Sequence, residues 1–403
     1  MIKSWLFYLL NAWGAFGPAK QGLMEKRKAL LKQFLASDER IVFPKPVRPR
    51  ATLVIPVYNH AYHTLACLLS ILPQAGPWLE VLVQDDCSTD ETQQLLSRFS
   101  NIKVGRGATN QGFLRNVNAA IGQASGRHIV LMNNDARIIE GQLCAALDRF
   151  EAEENCGLMG VRVALANGGL QEAGCAVFSD GTSNGYLRHR PIDDLRALFT
   201  RDVDYCSGVF IIFEKKVFEK LGGFDEVYAP AYYEETDFCM RLHREGLNCI
   251  YYPGLLIEHF EFGSRPSRGA RDLIKRNRHV FLERWGKTLE QDGYGTPALN
   301  VSDALARRRQ KQPRRLLVTD RATLTREEIA RQAKGAGVLT VYVLGGQRQE
   351  LLAMIQATDF AHEFVIGSSA GQLRRFVAGR KDLFDEIRAS GDKAGRLTAR
   401  LKA

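Results

Sequence analysis

Thr52-Leu-Val-Ile-Pro-Val-Tyr-Asn-His60 joins a β-branched apolar run to a polar, turn-forming tail. Preceded by the Pro-rich, basic stretch Lys45–Arg50, such a run reads as a buried strand whose carboxyl end opens on polar groups. The pattern recurs. Leu79–Gln84 is a second apolar run, followed by Asp85-Asp86-Cys-Ser-Thr-Asp90; Ile102–Val104 is a short third; His128–Met132 is a further one, followed by Asn133-Asn134-Asp135. Segments with helical periodicity separate them, over residues 61–72, 89–99 (with Ser88 or Thr89 as its cap) and 113–124. Buried strands alternating with helices predict an α/β fold with a mostly parallel central sheet covered on both faces. Ligands of such sheets bind beyond the carboxyl ends of the strands, where these polar clusters fall. Taken singly, each cluster is better explained as turn chemistry.

The rest of the central region continues the theme. Tyr205–Phe213 is read as a strand entered through Gly208, and Phe218–Leu221 as a helix end closed by Gly222-Gly223. Tyr232 to Gly246 is read as a helix whose first turn carries Glu234, Glu235 and Asp237, where carboxylates also match the helix dipole. His259-Phe-Glu-Phe-Gly-Ser264 comes later, with Arg265, Arg268 and Arg271 behind it. No G-x-G-x-x-G or P-loop pattern follows the first strand, so a bound phosphate must be managed by a metal.

The chain of 403 residues is 45% hydrophobic and 25% charged, which excludes wholesale disorder and a multi-span membrane protein. Its eight cysteines form no C-x-x-C pair, which argues against a zinc ribbon or disulfide scaffold and suits a reducing cytosol. The net charge of +10 is uneven: residues 1–50 carry +7, residues 301–403 carry +9, and the region between carries −6. Basic flanks around an acidic centre, without an aromatic-plus-basic platform, argue against a nucleic-acid binder and suit an enzyme near anionic lipid.

Met1 to Gly17 is apolar with Trp5 and Trp13, yet too short to span a bilayer. It is expected to lie at a membrane face, followed by a basic helix near residues 22–36, or else to dock on protein. The expected organisation is a segment over 1–50, a main domain over 51–290, a basic linker over 291–313 and a small Rossmann-like α/β unit over 314–403. In that last unit strands are expected at 316–319, 338–344 and 364–367, with helices at 323–335, 348–357 and 370–389.

Val54-Ile-Pro-Val-Tyr-Asn59, Val83-Gln-Asp-Asp-Cys-Ser-Thr-Asp-Glu-Thr92, Asn110-Gln-Gly-Phe113 with Asn116 and Asn118, and Ala124 to Asp135 together resemble, in order and spacing, the signatures of family 2 glycosyltransferases with the GT-A fold, in a rhamnosyltransferase-like form. The resemblance covers about residues 51–290. It implies sugar transfer with inversion from a nucleotide-diphosphate sugar, UDP- or dTDP-linked, onto a saccharide or lipid-linked acceptor in cell-surface polysaccharide synthesis. It also implies a divalent cation, Mn2+ or Mg2+. The N-terminal apolar run and the basic flanks, not the resemblance, suggest a cytoplasmic enzyme peripheral to the membrane through residues 1–36. Asn133-Asn-Asp135 stands where the family has Asp-x-Asp, so Asp135 is the expected metal ligand, with His259 completing the shell. The donor nucleotide is expected against Pro56, Tyr58, Asn59, Asp85, Asp86, Asn110, Gly112, Arg115, Asn133, Asn134 and Gly208. Glu235 matches the family's catalytic base, Asp237 is the second candidate, and Glu234 is expected to position the acceptor or the helix. A sugar-binding module without catalysis and a nucleotidyltransferase are the alternatives.

Overall fold

The computed structural model of the protein describes residues 20–261, 268–298, 301, 304–305, 313–336, 338–345, 362–367, 369–378 and 384–402. Helix α1 (Lys20–Ala36) precedes β1 (Ala51–Val57), α2 (Ala61–Ile71), β2 (Leu79–Asp85), β3 (Lys103–Arg106), α3 (Phe113–Gln123) and β4 (His128–Met132). The second half adds β5 (Ala136–Glu140), β6 (Cys156–Leu165), β7 (Leu170–Glu172), β8 (Arg201–Val203), β9 (Phe210–Glu214), α4 (Glu234–Arg244), β10 (Asn248–His259) and α5 (Arg268–Gln291). The main sheet runs β8-β10-β6-β9-β4-β1-β2-β3, with β5 on β10 and β7 on β6. Strands β3, β2, β1 and β4 are mutually parallel; β9 is antiparallel to both β4 and β6, while β10 is parallel to β6.

Every residue of β1 is buried, and Leu53, Val54 and Ile55 have no exposed surface. Each such side chain gains roughly 1.5–3 kcal/mol by leaving water. Pro56 is tolerated in this central strand because the pairing of β1 with β4 covers only Ala51–Val54, so its missing N–H falls beyond that ladder. The two strands that end in the functional clusters are thereby fixed side by side.

Several expectations are corrected. The helix expected over 89–99 is only Thr92–Leu96: Asp90 Oδ1 accepts from Thr92 N at 3.0 Å, and Phe99–Ser100 instead pairs with Ile41–Val42. The strand expected from Tyr205 begins at Phe210. Residues 20–50 are not a separate segment. Leu23, Arg27, Leu30, Leu31 and Phe34 recur at helical spacing and are buried, and Leu30, Leu31 and Phe34 share the core with α2. That face of α1 is therefore docked on protein, not offered to lipid. Residues 1–19, the other part of the membrane reading, lie outside the described residues. Among the described residues no helix is long and apolar enough to cross a membrane.

The C-terminal unit holds β11 (Arg314–Asp320), β12 (Val338–Leu344), β13 (His362–Gly367), α6 (Ala370–Ala378), β14 (Glu386–Ser390) and α7 (Asp392–Lys402). Its four strands are parallel in the order β13-β12-β11-β14. The single helix expected over 370–389 is thus wrong: Glu386–Ser390 pairs with Arg315–Thr319 of β11, and a new helix starts at Asp392. The expected helix over 348–357 lies outside the described residues.

Candidate active site

A cavity of about 700 Å³ opens at the carboxyl ends of β1, β2 and β4. Pro56, Val57, Tyr58 and His60 line it from the end of β1, Asp86 from the end of β2, and Asn133, Asn134 and Asp135 from the end of β4. Asn110, Gly112, Phe113 and Asn116 form one wall; His259, Glu261, Arg188, Tyr232 and Ile274 close the others. The three strand ends that the sequence singles out do converge.

Within that convergence the paired residues divide. Asp86 accepts from Gln111 N and Gly112 N, both at 2.8 Å, and so holds the loop that carries Asn110. Gly112 has a φ of +84°, and a Cβ there would stand 2.6 Å from Pro230 Cβ, so the close approach of this loop to residues 229–233 requires glycine. Asp85, expected to touch the nucleotide, instead accepts from Ser88 N at 2.9 Å and pairs with Arg106. Asn59 likewise turns inward: its Oδ1 accepts from Thr89 N at 2.8 Å and holds the loop after β2. Arg115 pairs with Glu226 at 2.9 Å and does not line the cavity. These three are supports of the site, not its lining.

The end of β4 is aimed by pairing. Ala136 stands opposite His259 in the β5–β10 ladder, and Phe260 N donates to Asp135 O at 3.1 Å, so Asp135 and His259 are placed face to face. His259 Nε2 lies 3.2 Å from Asp135 Oδ1, and His259 Nδ1 lies 2.7 Å from Gln171 Oε1. With Nδ1–H donating to Gln171, a neutral imidazole would turn its Nε2 lone pair toward a carboxylate oxygen. Two acceptors facing one another call for a proton or a cation between them, so the pair fits a divalent cation. Burial disfavours both charges, but their attraction outweighs it: the imidazole is held above its ordinary range and the Asp135 carboxyl below its own. Among the described residues no group of three or more such ligands is found, and this pair is the set that would hold a cation there. Asn133 Oδ1 is buried without a partner, an acceptor that a ribose hydroxyl would satisfy.

The acidic head of α4 also separates into roles. Asp237, fully buried, accepts from Arg241 Nε (2.8 Å), Arg284 Nη1 (2.9 Å), Trp285 Nε1 (2.8 Å) and Tyr228 Oη (3.2 Å). Four donors on one carboxylate make it a clamp between α4 and α5, contrary to its expected second place as a base. Glu235 interacts with the N–H of Gly208, next to Val209, whose carbonyl accepts from Asn133 N at 3.0 Å. A Cβ built on Gly208 would meet only Phe113 Cζ, at 3.9 Å, so there is open space beside the Glu235 contact. Burial raises the Glu235 carboxyl; burial and then the Glu235 charge raise Glu234 well above the usual range. Oε2 of each is enclosed with no hydrogen-bond partner. Neither carboxylate lines the cavity directly, but Tyr232 at the start of their loop does.

Four contributors were missed. Gln171 and Glu172 lie on the short strand β7; Gln171 orients His259, and Glu172 accepts from Ser207 N at 3.0 Å and acts electrostatically on both Glu235 and His259. Arg188 lines the cavity from a loop. Asn277, fully buried in α5, donates its amide to Tyr228 O, Ala231 O and Tyr232 O at 2.8–2.9 Å and fixes the turn before α4. None sits in a patterned run, although Asn in an apolar helix face is a polar-in-core signal that sequence alone offers. Ser264 and Arg265 lie outside the described residues.

A mostly parallel sheet of this order with a cavity at its strand ends is the architecture of a GT-A type domain. Residues 52–222 match glycosyl transferase family 2, and the chain carries a domain of that family. Over 285 residues it is 23% identical to the uncharacterized protein y4gI of Sinorhizobium fredii, covering 66% of this chain and 30% of that protein. Over 235 residues it is 25% identical to the O-antigen biosynthesis protein RfbC of Myxococcus xanthus, covering 56% of this chain and 18% of RfbC. The chain thus spans less than a third of the length of either relative. Among solved structures, GalNAc-T7 with UDP, GalNAc and Mn2+ aligns with a TM-score of 0.48 at 14% identity, over 62% of this chain and 51% of that one.

Proposed function

We propose that the chain transfers a sugar, with inversion, from a UDP- or dTDP-linked donor to a saccharide or lipid-linked acceptor in cell-surface polysaccharide synthesis, at the inner face of the membrane. The observation that carries the reading is the cavity shared by three strand ends, with the Asp135–His259 pair on its wall and the raised Glu235 carboxyl behind Gly208. The name of the relative RfbC supports the polysaccharide setting.

Asn133 Oδ1 takes a ribose hydroxyl, while Asp86 and Gly112 shape the loop over the nucleotide. Asp135 and His259 would hold Mn2+ or Mg2+, which when bound supplies positive charge beside the diphosphate. The acceptor oxygen bonds to the anomeric carbon as the bond from that carbon to the diphosphate oxygen breaks. The departing nucleoside diphosphate keeps the electron pair, and the acceptor's proton passes to Glu235. Glu235 suits this step because its enclosed Oε2 has no competing donor and its raised pKa makes it a stronger base.

A thermal-shift panel of UDP, dTDP, GDP and CMP, each with and without Mn2+, tests the reading. Stabilisation that needs both one nucleoside diphosphate and the metal is expected. No shift with any of the four would remove the donor site.

A further inference from the structure

The cavity's charge poses a problem for an anionic ligand. Among the described residues that line it stand three carboxylates, Asp86, Asp135 and Glu261, and one permanent cation, Arg188. The neighbouring cations are already engaged: Lys20 donates to Glu261 O, Arg27 and Arg137 both grip the buried Glu258, at 2.6–3.0 Å, and Arg106 is paired with Asp85.

Arg188 is presented with unusual care. The residues on both sides of it, Leu187 and His189, have φ of +60° and +65°, a region that non-glycine residues rarely occupy. Backbone ties hold the turn in that form: His189 N donates to Leu170 O at 2.8 Å, Leu170 N to Arg190 O at 2.7 Å, and the Leu187 side chain is buried. Strain maintained on both sides of one side chain is a mark of a functional position. The guanidinium rests on Glu261 at 2.8 Å, with 38% of the arginine side chain and 32% of the glutamate exposed. A pair this exposed is weak. Exchanging it for a doubly charged ligand, which a planar guanidinium can bind bidentately, is favourable.

We propose that Arg188 is the protein's own diphosphate-binding cation, parked on Glu261 when the donor is absent and transferred to the donor's diphosphate when it binds. Its position follows from Glu261, which stands two residues beyond His259. The guanidinium therefore approaches the diphosphate from the same wall as the Asp135–His259 pair and stabilises the charge that develops on the leaving group. The proposal rests on the donor reading above and adds to it a residue outside every recognised motif of the chain.

The test uses the full chain in Mn2+ and titrates UDP, dTDP and GDP by calorimetry into wild type, R188A, R188K and E261Q. Wild type must bind one of the three; binding of none overturns the donor reading and this proposal together. For the diphosphate that binds, R188A is expected to lose about 10- to 100-fold in affinity, the scale of a lost charge-assisted contact, with R188K between the two. E261Q, which removes the resting partner and one of the three negative charges on the cavity wall, should bind as tightly as wild type or more tightly. Unchanged affinity in R188A overturns the role of Arg188 and leaves the donor site standing. An equal loss in R188A and E261Q also overturns it, because the pair would then merely prop the cavity open.

Discussion

Glu235 carries opposite demands on stability and chemistry. Its folded pKa is raised, so its proton favours the folded state: that contribution is complete below the unfolded pKa and is lost as pH rises through the folded one. The base is available only above that same folded pKa. Thermal stability should therefore decline, and turnover rise, across one pH window that lies above the titration of an exposed glutamate. Glu235→Gln is expected to lessen the decline in melting temperature, leaving the part that Glu234 contributes, while turnover falls by about 10² to 10⁴, with nucleotide affinity kept. Near-normal turnover in that variant would move the base elsewhere. At the Asp135–His259 pair the sign is reversed for the imidazole's role as a ligand. Because its folded pKa is raised, Mn2+ must displace a proton, and apparent metal affinity should climb as pH passes upward through that pKa. A pH-independent Mn2+ affinity would exclude His259 from the metal. Sequence made both groups visible because each closes a recognisable run. It ranked Glu235 above Asp237 only through family resemblance and did not separate Asp86 from Asp85, since a carboxylate that caps a turn or clamps a helix looks the same, in letters, as one free to meet a ligand. Arg188 was illegible for a different reason: its role depends on backbone φ values and on Glu261, a residue far away in the chain.

At the level of elements, α1 extends the domain beyond the span that family resemblance marks. Arg27 reaches from α1 to Glu258 at 2.6 Å and to His63 Nδ1 at 2.7 Å, and Arg137 of β5 takes the same carboxylate at 2.8 and 3.0 Å. Burial and the adjacent guanidinium push the His63 imidazole down to about 2, so it stays neutral and can accept from Arg27. Glu258 has no exposed surface and directly precedes His259, so this ionic knot braces the strand end that forms the cavity wall. Either arginine alone still compensates the buried charge. R27A and R137A should each cost about 1–3 kcal/mol in urea unfolding. The double variant leaves a bare buried carboxylate and should cost more than their sum, by an additional few kcal/mol. Simple additivity would show that the two arginines do not share Glu258. Sequence displayed the helical spacing of α1 plainly. Its basic residues suggested lipid because an arginine that snorkels to water and one that crosses to a buried glutamate share the same pattern. The strand Glu386–Ser390 was hidden similarly: flanked by helix-forming residues, it becomes a strand only because β11 offers a free edge to pair with.

Across the whole molecule, the C-terminal unit packs on the transferase domain through apolar side chains. Its strand order places a switch point between β11 and β14, where a doubly wound sheet would take an anionic ligand. Here Asp320 fills that position itself, accepting from Lys393 N at 2.9 Å and Ala394 N at 3.0 Å at the start of α7. A carboxylate of the chain thus occupies the anion position at this helix start, which is consistent with a unit that serves through its surfaces. One such surface is already used. Leu195 and Phe199 of the transferase domain are buried in the same cluster as Leu317, Leu339 and Val341, and the Phe199 ring meets Phe364 at a centroid distance of 6.1 Å, edge to face. Truncating a buried phenylalanine removes about 3–5 kcal/mol. Phe199→Ala should therefore accelerate hydrogen exchange throughout β11–β14 while exchange in β1 and β4 stays slow, because those strands are buried in clusters that do not include Phe199. Nucleotide affinity should stay at the wild-type value, since Phe199 lies outside the cavity lining. If affinity falls with the exchange protection, the C-terminal unit acts on the donor site through this contact, and the two parts of the chain work as one.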